Sequence, residues 1–264
     1  MNADEPQFRY IGDDAARRRL AFRRLAAQQS GLAGVVWLGG FMSDMASTKA
    51  TRLDAWCRET GRAFLRFDYS GHGLSQGPFT EGTVTRWLEE AREMVLTETE
   101  GPQVVVGSSM GGYLALLLAR DLFTRQETGR LKGFVLIAPA VDFTEALLWA
   151  SLPEEARRAI ETEGGWRRPS DYSPTPYLYT RGLIEDGRQH LLLNTEIRSY
   201  APVRILQGMQ DPDVPYAHAL KLIKQMPSDD VALTLIRDGD HRLSRPQDLA
   251  MLTRVVEAIA TGEA

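Results

Sequence analysis

The sequence lacks the features that define several large classes of protein. It contains a single cysteine, Cys57, among 264 residues, so no disulfide can form within the chain, and this composition suits a reducing compartment. No apolar run approaches the roughly 18 residues that a membrane span requires. The N-terminal stretch MNADEPQFRY has neither the apolar core of a signal peptide nor the arginine content of a transit peptide. These absences predict a cytoplasmic protein without stable membrane insertion.

An excess of basic charge is also missing, as are motifs that hold metals or nucleotides. Lys and Arg number 31 against 35 Asp and Glu, and the resulting net charge of -4 argues against a nucleic-acid partner, which needs a basic surface. The 4 histidines are scattered, so no His/Cys cluster has the spacing of metal ligands. No G-x-G-x-x-G follows an apolar run. We therefore expect no metal and no cofactor.

The chain does contain an alternation of short apolar runs and longer helical patterns. The runs GVVWLG, AFLRFD, QVVVGS and VRILQG are rich in β-formers and do not alternate with polar residues, as expected of strands buried on both faces. This pattern predicts an α/β fold with a mostly parallel central sheet and helices on both faces. The basic segment AARRRLAFRRLAAQQ admits two structures: an amphipathic helix on a membrane surface, or a strand with Leu20 and Phe22 on one face. Because the chain as a whole has a net negative charge, we favour the strand over the membrane-surface helix.

One long interval interrupts this alternation. About sixty residues separate the strand that ends at Pro139 from the strand that starts at Val203, where a short crossover would suffice. We predict an α/β core over 1–143 and 201–264, with a helical cap over 144–200 that covers a substrate; a stabilising decoration is the alternative. The interval is rich in large apolar side chains: Trp149, Trp166, Tyr172, Tyr177, Tyr179 and Leu191 to Leu193. The candidate substrate contacts among them are Trp149, Trp166 and Tyr177.

The strongest motif is Gly107-Ser108-Ser109-Met110-Gly111, which fits G-x-S-x-G between an apolar strand and an apolar helix. Its middle serine occupies a sharp, strained turn, and glycine suits the flanking positions because side chains there would collide. Ser109 is therefore the predicted nucleophile, and Ser108 is not, because it lacks the flanking glycine pair. A serine hydroxyl is a weak nucleophile and needs a base.

The base and its acid are found from chain order, which runs Ser, acid, His in sheets of this type. Only His241 lies on a loop after the last strand, so we predict that it is the base. Asp211 and Asp213 both follow the strand VRILQG; Asp211 is preferred because it lies nearer the strand end. Asp142, after the preceding strand, is a third candidate.

An oxyanion hole is expected from two backbone N–H groups. One belongs to Met110, the residue after the nucleophile, and the other to Phe41, in the loop after the strand GVVWLG. Gly40 in that loop lets the backbone approach the substrate closely, so it is a candidate substrate contact.

With these motifs, the chain resembles the α/β-hydrolase superfamily throughout. Its loop departs from the superfamily's common His-Gly pair, because Gly39 stands where the histidine usually does. Backbone donation should survive this change, since it does not use that side chain. The Gly-rich segment Arg66 to Ser75 resembles a loop that is usually structural, and His72 within it is not assigned to catalysis.

Within the superfamily, the chain resembles the mitochondrial palmitoyl-protein thioesterases, also described as acyl-glucuronide esterases. The similar stretches are FDYSG, GPQVVVGSSMGG, RILQGM and DHR, together with Trp166, Pro169-Ser170 and Tyr172 in the cap. By this resemblance, Ser109, Asp211 and His241 match the nucleophile, acid and base positions.

The resemblance implies hydrolysis of thioesters or carboxylic esters with a hydrophobic acyl group, on small molecules or acylated proteins, through an acyl-enzyme. A general short-chain carboxylesterase or acylglycerol lipase is the alternative, and a perhydrolase or C–C bond hydrolase is a more remote one. A non-enzymatic binding module is disfavoured by the intact Ser, Asp and His. Arg167 and Arg168 either contact a substrate carboxylate or stand in solvent.

Overall fold

The computed structural model describes residues 5–13, 17–170, 173–227 and 230–263. The strands are β1 (Gln7–Ile11), β2 (Arg18–Leu25), β3 (Gly34–Leu38), β4 (Phe64–Phe67), β5 (Gln103–Ser108), β6 (Leu131–Ile137), β7 (Gly165–Ser170), β8 (Ser173–Thr180), β9 (Val203–Gly208) and β10 (Val231–Ile236). The α-helices are α1 (Thr48–Thr60), α2 (Val84–Glu98), α3 (Met110–Thr124), α4 (Glu154–Glu163), α5 (Arg181–Gly187), α6 (Tyr216–Lys224) and α7 (Pro246–Thr261).

Eight of these strands form one sheet in the order β1-β2-β4-β3-β5-β6-β9-β10. The pairs β1–β2 and β2–β4 are antiparallel, and the pairs from β4 to β10 are parallel. The predicted fold is therefore confirmed, including each strand on which it rested. The carboxyl ends of the parallel strands meet at one edge, called here the sheet edge, and loops that follow β3, β5, β9 and β10 lie there.

Hydrophobic packing on both faces explains the continuous apolar runs. Val36 and Leu38 of β3 face the cluster that contains α2 and α3, whereas Val35 and Trp37 face the cluster that contains α1 and α7. Alternate residues of one strand thus enter two cores, so neither face can be polar. The α3 helix is buried nearly all round because it lies between the sheet and α2.

The basic segment forms strand β2, because its apolar residues complete the core and its arginines find partners on α2. Leu20 and Phe22 are buried. Arg18 pairs with Glu90, and Arg24 with Glu98. Across the described part of the chain, no helix has the length and apolar character needed to cross a bilayer.

Residues 138–202, between β6 and β9, are called here the excursion. It contains a π-helical segment (Phe143–Leu148), short 3-10 turns, α4, α5 and the antiparallel ribbon β7–β8. The sequence predicted a helical cap here, and α4 and α5 are helical; the ribbon is an addition in a stretch where Pro169, Pro174 and Pro176 disfavour a helix interior. A small apolar cluster of its own joins its elements: Leu148, Leu152, Ala156, Ile160 and Ile184. Tyr172, assigned to the cap by sequence, lies outside the described residues.

Candidate active site

Ser109 stands in the sharp turn between β5 and α3, with backbone angles of φ 54° and ψ -117°. L-residues rarely adopt this conformation, and it persists only where the surroundings impose it. A Cβ on Gly107 would collide with the Gly111 carbonyl, and a Cβ on Gly111 would collide with the Leu38 carbonyl. Steric contact therefore requires glycine at both flanking positions, for the reason given in the sequence analysis.

His241 lies on the loop after β10, where it contacts both other members of the predicted set. Its Nε2 is 3.1 Å from Ser109 Oγ, and its Nδ1 is 2.8 Å from Asp211 Oδ2. An ionised carboxylate only accepts hydrogen bonds, so Nδ1 carries the proton and Nε2 is the bare acceptor that faces the serine hydroxyl. This tautomer lets Nε2 remove a proton from Ser109.

The Asp211 carboxylate is buried and accepts hydrogen bonds on both oxygens. Oδ1 accepts from the backbone N–H groups of Asp213 and Val214, at 2.9 and 2.8 Å. Oδ2 accepts from Gln207 Nε2 at 3.2 Å as well as from His241. These bonds satisfy the buried charge and hold it against the imidazole.

The other acids that the sequence offered have different partners. Asp213 is exposed and contributes its backbone N–H to Asp211. Asp142 accepts the N–H groups of Leu192 and Leu193 at 2.8 and 2.9 Å, so it joins the beginning of the excursion, just after β6, to a segment near its end. Of the three candidate acids, the structure brings only the Asp211 carboxylate to hydrogen-bonding distance of His241 among the described contacts.

The remaining histidines serve other contacts. His190 pairs with Thr85 Oγ1 and His218 with the Val141 carbonyl. His72 lies beneath the loop after β3, where its Nε2 accepts the Met42 N–H at 3.1 Å.

Phe41 and Met110, the predicted oxyanion donors, flank Ser109 in sequence or in space. Met110 is the first residue of α3, directly after Ser109. Gly40 lies against the turn between β5 and α3: a Cβ on Gly40 would stand 3.4 Å from Ser109 Cβ. The backbone of the loop after β3 therefore runs next to the serine.

A cavity of about 970 Å³ opens in front of Ser109 and His241. One part of its lining is apolar and comes largely from the excursion: Phe143, Ala146, Leu147, Leu148, Tyr177 and Tyr179. Another part is polar and lies near α1 and the loop after β10: Ser43, Ser47, Thr48, Lys49, Arg242 and Ser244. Two chemically different regions thus meet at the serine.

The structure sorts the predicted substrate contacts into two groups. Gly40 and Tyr177 line the cavity. Among the described lining residues, Trp149 and Trp166 are absent; both pack instead against the excursion's own apolar cluster. Arg168 lines the cavity, and its neighbour Arg167 is exposed outside that lining.

Lys49 and Phe143 line the cavity although the sequence did not single them out. Phe143 follows β6 at the sheet edge, so topology could have found it. Lys49 is buried in the first turn of α1, and its Nζ donates to the Arg242 carbonyl beside His241. Burial lowers the pKa of Lys49 to about 8. Helical periodicity alone gives no signal for such a contact.

Among the described residues, Asp211, Asp213 and His241 place potential metal-ligand atoms within 4.8 Å of one another. A metal ion there would have to displace a hydrogen bond, because both nitrogens of His241 are engaged by Ser109 and Asp211. The donor set therefore suits proton transfer better than metal binding.

Comparison with known proteins bears directly on this arrangement. The model of the alpha/beta hydrolase family matches residues 30–252. The chain belongs to the alpha/beta hydrolase family. A putative hydrolase from Agrobacterium vitis S4 has 44% sequence identity to this hydrolase and a TM-score of 0.94, with 97% of this chain and 98% of that chain covered.

A named relative is the mitochondrial palmitoyl-protein thioesterase ABHD10 of Mus musculus. It is 34% identical over 239 residues, which cover 90% of this chain and 77% of the relative. The solved structure of alpha/beta hydrolase domain-containing protein 10 from mouse superposes with a TM-score of 0.83 at 30% identity, covering 98% of this chain and 100% of that chain. The chain is accordingly a hydrolase.

Proposed function

We propose that this hydrolase cleaves thioesters or carboxylic esters with a hydrophobic acyl group, using Ser109, His241 and Asp211 through an acyl-enzyme. The observation that carries the proposal is the continuous chain of hydrogen bonds, 3.1 Å from Ser109 Oγ to His241 Nε2 and 2.8 Å from His241 Nδ1 to Asp211 Oδ2. The likeness to a relative named as a palmitoyl-protein thioesterase supports the substrate class.

In the first half of the reaction, His241 Nε2 takes the Ser109 proton while Oγ attacks the acyl carbonyl. Asp211 stabilises the imidazolium that forms and keeps the ring in its working tautomer. The imidazolium then returns the proton to the departing alcohol or thiol. In the second half, His241 activates water, which hydrolyses the acyl-serine and restores the enzyme.

The oxyanion of each tetrahedral intermediate would accept hydrogen bonds from the N–H groups of Phe41 and Met110. Among the described residues, neither N–H has an intramolecular acceptor, so both are available to a ligand. Preorganised donors of this kind cost no reorganisation during the reaction, and losing one typically costs about 100- to 1,000-fold in rate.

The apolar lining that the excursion contributes favours a substrate with a hydrophobic acyl group. We propose that residues 144–200 form a cap over this group and that residues 1–143 and 201–264 form the catalytic core. Leu147, Leu148 and Tyr179 present apolar surface to the cavity close to the serine. The polar region near Lys49 would receive the leaving group, which on an acylated protein is a cysteine-bearing segment.

The test compares hydrolysis of an S-palmitoyl peptide with that of a short-chain oxygen ester at matched concentration. Ser109→Ala should abolish both activities, since loss of a nucleophile of this type costs about a million-fold. Ser108→Ala is the matched variant and should keep labelling of Ser109 by a fluorophosphonate.

Preference for the palmitoyl thioester supports the proposal. Serine-dependent turnover of the short ester alone would move the assignment to a general carboxylesterase or lipase. Full activity of the Ser109→Ala protein would refute the mechanism.

A further inference from the structure

His72 is a buried histidine that the proposed reaction does not use directly. It lies on the loop after β4, and its Nε2 accepts the N–H of Met42 at 3.1 Å. Met42 follows Phe41, the proposed oxyanion donor, in the loop after β3. His72 thus reaches from one loop of the sheet edge to the residue next to the donor in another.

The tautomer of His72 follows from its second contact. Nδ1 lies 3.2 Å from the Ser70 carbonyl, which can only accept, so Nδ1 carries the proton and Nε2 is free to accept from Met42. Burial lowers the pKa of His72 to about 4, which keeps the ring neutral near neutral pH. The acceptor is therefore present under ordinary conditions.

The turn at Phe41 explains why Met42 needs that acceptor. Ser43 N–H donates to the Gly40 carbonyl at 3.1 Å, which closes a four-residue turn. Met42 at its third position has φ 58°, and Phe41 is not among the described residues with positive φ, so the turn is of type II. Glycine normally occupies this third position, and a methionine there is strained.

A rotation of the peptide between Phe41 and Met42 would relieve the strain by converting the turn to type I. The same rotation would point the Met42 N–H away from His72 and so free the loop from its anchor, one peptide after the Phe41 N–H. The hydrogen bond to His72 opposes it, because the bond exists only in the type II form.

The far side of His72 is anchored by a buried network. Ser70 N–H donates to Glu90 Oε2 at 2.9 Å, and Glu90 pairs with Arg18 at 2.7 Å. The His72 ring packs edge-on against Phe79 and Trp87, with centroids 5.2 and 5.4 Å away. His72 therefore has little freedom to follow the turn if the turn moves.

We infer that His72 is a positioning residue: by accepting the Met42 N–H it holds the turn in its type II form and anchors the loop, so that the Phe41 N–H, one peptide earlier, stays beside Ser109. The inference rests on the proposed function, because it assigns His72 a task only if Phe41 is an oxyanion donor. His72 acts through the turn and touches no reacting atom.

The first test uses two polar replacements that differ in reach. The His72→Gln side chain can place its Oε1 near the position of Nε2 and accept from Met42, whereas His72→Asn reaches only the position of Nδ1. We expect His72→Asn to lower kcat by about 10- to 100-fold with little change in KM. This loss is smaller than that for complete removal of an oxyanion donor, because the Phe41 N–H is displaced and not deleted. His72→Gln should recover most of the loss. Thermal unfolding of both variants establishes that they are folded.

Affinity for a trifluoromethyl ketone gives a readout that general damage to the fold does not reproduce. This inhibitor forms an oxyanion on Ser109, whereas the corresponding methyl ketone binds largely as the neutral ketone. His72→Asn should lower the affinity for the trifluoromethyl ketone by the same factor as it lowers kcat, and it should leave the affinity for the methyl ketone nearly unchanged. Equal affinity of His72→Asn and wild type for the trifluoromethyl ketone would overturn the inference.

A suppressor tests the turn itself. In the His72→Asn protein, Met42→Gly should restore part of kcat, because glycine adopts positive φ without steric cost. Met42→Ala is the matched control: it removes the same side chain but keeps Cβ, so it should restore nothing. Equal behaviour of the two double variants would contradict the role of the turn.

Nitrogen-15 NMR of the wild-type protein tests the premise without any substitution. A protonated Nδ1 and a bare Nε2 on His72 support the inference, and a protonated Nε2 overturns it. Failure of the inference is distinct from failure of the proposed function: if wild type turns over esters and Ser109→Ala does not, the function stands whatever His72 does.

Discussion

The sheet edge and the excursion meet at the same cavity, but they are built differently. At the sheet edge, Asp211 is buried and its two oxygens receive hydrogen bonds from four groups. In the excursion, Tyr177 is half-buried and meets Phe41 through a ring contact with centroids 6.1 Å apart. Directional hydrogen bonds hold the proposed catalytic groups, and apolar contacts cover the cavity in front of them.

The difference has a physical origin in the sheet. Parallel strands bring their carboxyl ends together at one edge, where short loops have little freedom. The excursion is tied to the rest of the molecule by separate hydrogen bonds on α2 and α3: Thr85 bonds to Asp186 and His190, and the Tyr113 hydroxyl donates to the His190 carbonyl. We therefore expect changes at the sheet edge to affect kcat and stability, and changes in the excursion to affect KM.

Substitution of the acid should have the largest effect. Asp211→Asn should lower kcat by about 10,000-fold, because the amide no longer selects the tautomer in which Nε2 is bare. Asp213→Asn is the matched control and should cost far less, since Asp213 contacts Asp211 through its backbone. Steady-state kinetics on a chromogenic ester compares them. Similar losses in the two variants would contradict the assignment of Asp211.

Stability should next distinguish the main core, on which the sheet edge rests, from the excursion. Leu117 of α3 is fully buried in the main core, and Leu152 belongs to the excursion's small cluster. Leu117→Ala should lower the free energy of unfolding by about 2–5 kcal/mol, as truncations in a rigid core do. Leu152→Ala should cost less, because the smaller cluster can collapse around the lost volume. Denaturant unfolding measures both, and a larger loss for Leu152→Ala would reverse the comparison.

The smallest expected effect lies within the excursion. Tyr177→Leu should raise KM for a long-chain ester by about threefold to tenfold with kcat preserved, because it removes contacts made equally in ground and transition states. Trp166→Leu makes the same replacement outside the cavity lining and should leave KM nearly unchanged. A larger KM change for Trp166→Leu than for Tyr177→Leu would support the sequence-based prediction that Trp166 contacts the substrate.

Local rules explain which predictions the structure reproduces. Gly107 is required by a collision with Gly111 inside the motif, Gly111 by a collision with the neighbouring strand β3, and the order Ser109, Asp211, His241 follows from strand order. The contacts of Trp149 and Trp166 could not be predicted in this way. Large apolar side chains in an insertion pack either against substrate or against each other, and hydrophobicity is the same in both cases. The ribbon β7–β8 was missed as well, although its prolines gave a signal against helix.

The sequence alone determined the parallel sheet, the strained serine and the chain order of the three proposed catalytic residues, because each depends on local sterics or on the direction of neighbouring strands. Only the tertiary structure decided what lines the cavity and what holds the turn at Phe41. Met42 and His72 are 30 residues apart, and their hydrogen bond exists because two loops meet at the sheet edge. Contacts between distant segments depend on the packing of the whole chain, and no local pattern encodes them.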